Sequence, residues 1–458
     1  MARLRSSKGA FTMRTEALLV IALAACHGNS SNLGGDGGTA DTTANADAAP
    51  VMGFVTITAR TQLGDGAADP TAIVIFTNPA GAVLSTATVD ETGTTSATVP
   101  AGSDVTVLQV STDPNNLARK TEHLTTIRGV QPGDQLVTGK PKDPNYKAGA
   151  TDNMTATWTP LQSSAEPSIL IACAEGGPNG TSTGPLNLTF HASCTTPTFD
   201  LLMLQGNTSG VGMYVWVTGQ AHSAGGTFAI PNTWAPMQQT STPIMDSSGT
   251  HLASSVKLSH VIDGAAMQIE QVAPPPAATA IALYYAPIAA PTAIEAMQSG
   301  GPYGTMHRWV TVTTGSPAGT PVDLSALPIP DVTHVAQDLT AVSWNQSGPG
   351  SPVARVVIWT GSWTDANAIQ HSAQWEILEP ATGSSTHLFA LPSMYAGDDP
   401  AASNAQVTGS AVTYVAYDSV TTYDAARAAG LVIGDVESFA LGTDHVGHST
   451  VTPSFQPP

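Results

Sequence analysis

Along the chain, short apolar runs alternate with turn signals, and long amphipathic periods of helical type are missing. Between residues 51 and 140 the runs Phe54-Val55-Thr56-Ile57 and Ile73-Val74-Ile75-Phe76 are separated by Gly64-Asp65-Gly66 and followed by Asn78-Pro79-Ala80-Gly81. Such runs, bounded by Gly, Pro, Asn and Asp, predict strands rather than helices. A link rich in Lys, Pro, Asp and Gly covers residues 140–150 and marks a boundary. Beyond it, Met154-Thr155-Ala156-Thr157-Trp158, Ile169-Leu170-Ile171-Ala172-Cys173, Leu186-Asn187-Leu188-Thr189-Phe190 and Met213-Tyr214-Val215-Trp216-Val217 are rich in the β-branched and aromatic residues that strands favour. A Pro-containing connector begins at Val322. After it, Leu339 and Trp344 are expected in one strand and residues 353–359 in a later one. The one helix expected in the exported part covers residues 423–431 and closes at Gly430 or Gly434.

The fold class expected from this pattern is all-β, with several β-sandwich domains in tandem. The organisation reads as a signal peptide over 1–26, a flexible tether over 27–50, and β-regions over 51–140, 151–321 and 322–458. The tether expectation rests on residues 28–50, which carry almost no large apolar side chain and cannot bury enough surface to offset chain entropy.

The amino terminus has its own logic. Arg3, Arg5, Lys8 and Arg14 precede the apolar run Ala17-Leu18-Leu19-Val20-Ile21-Ala22-Leu23-Ala24-Ala25, which is too short to cross a bilayer and has the layout of a secretory signal. Translation starting at Met13 would leave that layout intact. Leu23-Ala24-Ala25-Cys26 resembles the lipobox of bacterial lipoproteins, which implies lipidation of Cys26 and a membrane partner reached through that anchor. His27 stands where an Asp in such lipoproteins favours retention at the inner membrane, so the resemblance implies the outer membrane or the cell surface.

Two further resemblances concern fold. The stretch from Ala72 to Val110 resembles carboxypeptidase regulatory-like, or prealbumin-like, domains, with Asp90, Gly93, Pro100, Ala101 and Gly102 filling the family's turn positions. The stretch from Asp338 to Trp363 resembles the opening of fibronectin type III and other immunoglobulin-like sandwiches. Neither implies an activity, because such folds serve as spacers, folding partners and binding modules alike.

Charge narrows the list of partners. The 458-residue chain has a formal charge of −19, and after residue 150 the only basic side chains are Lys257, Arg308, Arg355 and Arg427. A groove tracking a phosphate backbone is therefore not expected, and nucleic acid is excluded as a partner. An envelope protein or a glycan remains as the expected partner class.

Candidate chemistry is sparse. Cys173 and Cys194 form an even pair in an oxidising compartment, so a disulfide is expected, with two buried thiols as the alternative. Gly180-Thr181-Ser182-Thr183-Gly184 has the spacing of a nucleophile elbow but is flanked by Pro178 and Pro185 instead of a strand and a helix. Ser254 and Lys257 have an acylation spacing, yet the surrounding residues read as strand. No catalytic residue is assigned, and no metal or cofactor is implied. The nearest approaches to a ligand set are Asp444, His445 and His448, with Asp435 and Glu437 upstream, and the Asp398-Asp399 turn, which offers oxygens to a hard cation or simply to solvent. Trp359 and Trp363 share one face of a strand by the two-residue period. Exposed, they would stack on a sugar ring; buried, they would fill a sandwich core. The leading expectation is a non-enzymatic surface protein with a binding or structural role, and the alternative is a secreted hydrolase with dispersed catalytic residues.

Overall fold

A computed structural model describes residues 50–451, apart from 162–166, 173, 179–183, 194–195, 207–211, 247–252, 276–277, 300–304, 349, 418–419 and 429–445. The architecture is nearly all-β and consists of tandem β-sandwiches. The α-helix among the described residues is the short Tyr423–Ala428, and no described helix is long and apolar enough to cross a membrane.

The first sandwich sets the strands Thr94–Pro100, Met52–Ala59 and Gln135–Thr138 against Val83–Thr88, Ile73–Thr77, Ser103–Thr112 and Arg119–Val130. Val55, Ile57, Val74, Phe76, Val105 and Val107 meet in its core. The Asp90-x-x-Gly93 turn has a physical basis. Asp90 Oδ1 accepts from the amides of Thr92 and Thr94 at 2.8 and 2.9 Å, while Gly93 sits at φ +74°, where a Cβ would come within 2.4 Å of the Ala59 carbonyl oxygen. Only glycine fits that position.

Residues 151–324 fill two larger cores and a smaller cluster of Leu202, Ile262, Ala286, Ile288 and Ala290. In one, Thr151–Thr157 and Leu186–His191 face Thr198–Gly206 and Gly212–Ala221 through Met154, Leu188, Phe190, Phe199 and Leu201. In the other, Gln238–Met245 and Ala280–Tyr285 face Ser255–Ile262, Thr292–Ser299 and Thr305–Thr313 through Leu258, Leu283, Ile294 and Trp309.

The last sandwich packs Asp331–Gln337, Ala341–Ser347 and Ser385–His387 on Ala354–Thr364, Gln370–Pro380 and Gln406–Tyr417. Its core holds Trp344, Trp359, Trp375 and Tyr414. Leu339 lies in the turn before Ala341–Ser347, not in the same strand as Trp344, because Asp338 Oδ1 caps the amides of Thr340 and Ala341 and bends the chain there.

One sheet of twelve strands runs through the first, third and last sandwiches. Its decisive joint is the parallel pairing of Arg119–Val130 with Gln370–Pro380, which places Thr121 opposite Ser372 and Glu122 opposite Ala373. The pairing explains the unbroken apolar run at residues 73–76. Val74 and Phe76 face the first core, whereas Ile75, with Leu108 and Leu124, faces the last. A strand buried on both faces has no polar side to show in its sequence.

Candidate functional site

The joint between the first and last sandwiches carries a polar cleft of about 810 Å³, lined among others by Arg119, Lys120, Ser362, Trp363, Gln370 and His371. Strand alternation builds its wall. Along Gln370–Pro380 the residues His371, Ala373, Trp375 and Ile377 are buried in turn, and along Arg119–Val130 Glu122, Leu124 and Thr126 share the neighbouring inward positions. At one end of this inward face Glu122 and His371 sit side by side. Nδ1 of His371 lies 2.6 Å from Oε1 of Glu122, and Nε2 lies 3.6 Å from Oδ2 of Asp365. Asp365 is fixed by its own turn, because Oδ1 accepts from the amides of Asn367 and Ile369 at 2.9 and 2.8 Å.

The electrostatics of the two carboxylates diverge. The amide of Ile369 holds the Asp365 carboxyl below its ordinary range. Burial pushes the Glu122 carboxyl up, against the pull of His371 and with a further push from Asp398. Desolvation disfavours the charged form unless an opposite charge or donors compensate.

Trp359 and Trp363 do share a face of Ala354–Thr364, with Gly361 between them. Trp359 is wholly buried, lies opposite Trp375 in the pairing, and donates through Nε1 to the Asp338 carbonyl at 3.0 Å. Trp363 is 8% exposed, lines the cleft, and stacks on His371 with ring centroids 4.8 Å apart and planes 12° from parallel. Both rings thus belong to the last core, and Trp363 also forms part of the cleft wall.

The Asp398-Asp399 turn is split. Asp399 is buried and accepts from the amides of Leu391 and Ala401 at 3.0 and 2.8 Å, which fixes the loop. Asp398 reaches toward Glu122 and His371, with one ligand atom from each of the three lying within 4.8 Å of the others. Glu122 and His371 did not stand out in the sequence. Each stands on the inward period of its strand, Glu122 two residues before Leu124 and His371 two before Ala373, but those strands carry other polar residues too, so the sequence does not single them out.

Ser254 and Lys257 do not join this site. Ser254 donates to the Met297 carbonyl and Lys257 pairs with Glu295 at 3.2 Å on the strand Ser255–Ile262, as a strand reading requires. His448 falls on the strand Val446–Val451. Cys26, Cys173, Cys194, Ser182, Asp435, Glu437, Asp444 and His445 lie outside the described residues.

No protein-family model and no curated protein matches the chain. Among solved structures it is similar to the major pilin subunit BcpA of Bacillus cereus at 9% identity, covering 60% of this chain and 98% of that one with a TM-score of 0.13. It is also similar to the open conformation of the pilus adhesin SpaC from Lactobacillus rhamnosus GG at 9% identity, covering 73% and 44% with a TM-score of 0.13. Two B repeat units of the collagen-binding protein of Staphylococcus aureus match at 8% identity, covering 72% and 100% with a TM-score of 0.12. None of these likenesses carries the functional reading below.

Proposed function

We propose that this chain is an exported bacterial envelope protein, anchored at the outer membrane or cell surface through a lipidated Cys26, whose sandwiches display a binding site and catalyse no reaction. The first sandwich belongs in this reading to the prealbumin-like type and the last to the fibronectin III or immunoglobulin-like type. The observation that carries the binding role is the cleft at their joint. It opens beside two filled cores and is lined by hydroxyl, amide and charged side chains, the lining that suits a polar ligand such as an envelope glycan.

The hydrolase reading draws on one observation, the imidazole of His371 set between two carboxylates at a cleft wall. Both of its nitrogens face carboxylates, so neither is placed to take a proton from a hydroxyl nucleophile.

The experiment is a binding assay of the whole exported chain against polysaccharide from envelope extracts, comparing the native protein with Lys120→Ala and Gln370→Ala. Both positions are at the cleft and outside the cores. Retention of the native protein and clear loss with the variants supports the reading. Equal retention of all three, or none by the native protein, contradicts it.

A further inference from the structure

Glu122, His371 and Asp398 come from three stretches of chain that meet at the joint: the strand Arg119–Val130, the strand Gln370–Pro380, and the loop before Gln406–Tyr417. Glu122 is 0% exposed and His371 4%. One oxygen of Glu122 is engaged by His371, but the other, Oε2, is buried without a hydrogen-bond partner. Among the described residues the ion-pair partner of Glu122 within 4.0 Å is His371. Three carboxylates therefore face one imidazole, those of Glu122 and Asp398 and, 3.6 Å from Nε2, that of Asp365, in a place where an unmatched acceptor and an unmatched negative charge are both costly.

A doubly charged cation answers both demands. It supplies a partner to the orphaned oxygen and offsets the charge of Glu122 and Asp398, with the imidazole as a neutral ligand. We propose that Glu122, His371 and Asp398 bind a divalent transition-metal ion of the zinc type, clamping the first sandwich to the last. The donor set decides the class. One imidazole nitrogen with two carboxylate oxygens suits zinc, which takes three protein ligands plus water in a four-coordinate shell. Calcium takes six to eight oxygens and does not favour imidazole. The site goes beyond the binding role proposed above and stands or falls independently of it, since it requires neither a glycan nor an anchor.

The test uses the whole exported chain, stripped with a chelator and titrated calorimetrically with Zn²⁺, Mn²⁺ and Ca²⁺, with thermal unfolding followed in parallel. The expected result is one equivalent of Zn²⁺ bound more tightly than Ca²⁺, together with a rise in Tm that grows with free Zn²⁺. Asp398→Asn is the discriminating variant, because Asp398 is only half-buried and its loss leaves the cores intact. It should weaken Zn²⁺ roughly tenfold or more, the scale on which even supporting residues of metal sites act, while the metal-free Tm stays close to native. Glu122→Gln is the second variant and should lose the Zn²⁺-dependent rise in Tm. The proposal is overturned if no stoichiometric Zn²⁺ binds, if Ca²⁺ binds more tightly, or if Asp398→Asn and Glu122→Gln bind Zn²⁺ like the native chain.

Discussion

The indole of Trp359 lies across Gly361 of its own strand, so closely that a Cβ on Gly361 would stand 2.3 Å from Trp359 Cη2. Trp359 is the residue whose ring fills the middle of the last core, and its Nε1 is already committed to the Asp338 carbonyl. The ring therefore cannot swing aside without losing that partly buried hydrogen bond. Gly361→Ala should destabilise the protein by about 1–3 kcal/mol, the usual cost of overpacking a filled core. Thermal and denaturant unfolding of the variant read this directly. A variant as stable as the native protein would mean that the ring has room to move.

A second expectation concerns the first sandwich, residues 51–140. It owns a closed core, so the isolated fragment should unfold cooperatively. Its other face, however, carries Ile75, Leu108 and Leu124, which the last sandwich covers in the whole chain, and its strand Arg119–Val130 would become an unpaired edge. The fragment should consequently self-associate with rising concentration. Replacing the three residues by Thr should keep it monomeric. Sedimentation of both forms checks this, and a native fragment that stays monomeric at high concentration counts against the shared-face account.

Much of the fold was legible because half-buried strands announce themselves. Leu186–His191 alternates buried and outward residues as its sequence does. What stayed hidden was long-range. Nothing local in residues 119–130 or 370–380 says that they pair in parallel, since pairing across some 250 residues leaves no periodic mark. The site follows the same division. Asp398 was visible as part of an acidic turn, and the tryptophans as a face. Glu122 and His371 were two unremarkable polar residues until the parallel register brought them together. Which of Asp398 and Asp399 would be a turn carboxylate depended on the amides of Leu391 and Ala401, a matter of loop closure that residue type does not encode.

His260 gives a pH dependence with a defined sign. It is 1% exposed on the strand Ser255–Ile262, with Nδ1 3.3 Å from Thr292 Oγ1, and burial pushes its imidazole down to about 4. In the unfolded chain a histidine titrates near 6.5, so between that value and about 4 the unfolded state binds the extra proton. Stability from this residue is thus fully present above pH 6.5 and declines as pH falls through the window, by about 3 kcal/mol in all. Unfolding measured from pH 7.5 to 4.5 should fall more steeply for the native chain than for His260→Gln. Parallel curves would show that His260 is not the source.

Cys173 and Cys194 give a chemical test. A Cys173–Cys194 bridge would close a segment that includes the core strand Leu186–His191 and stabilise the region 151–321 by about 3 kcal/mol through the denatured chain. Non-reducing digestion and mass spectrometry of exported protein should return the two cysteine peptides joined. Two freely alkylated thiols would remove the bridge from the account.

The anchor is the feature from which the envelope role of the whole chain follows. The full-length protein, expressed in a bacterium that processes lipoproteins and then extracted from its membranes, should yield a mature amino-terminal peptide that begins at Cys26 and carries acyl chains by mass. Cys26→Ser should abolish acyl labelling and release the protein from the membrane fraction, since the apolar run before it is too short to span. An unmodified Cys26 within an uncleaved chain, or a Cys26→Ser protein acylated and retained like the native one, would contradict the account.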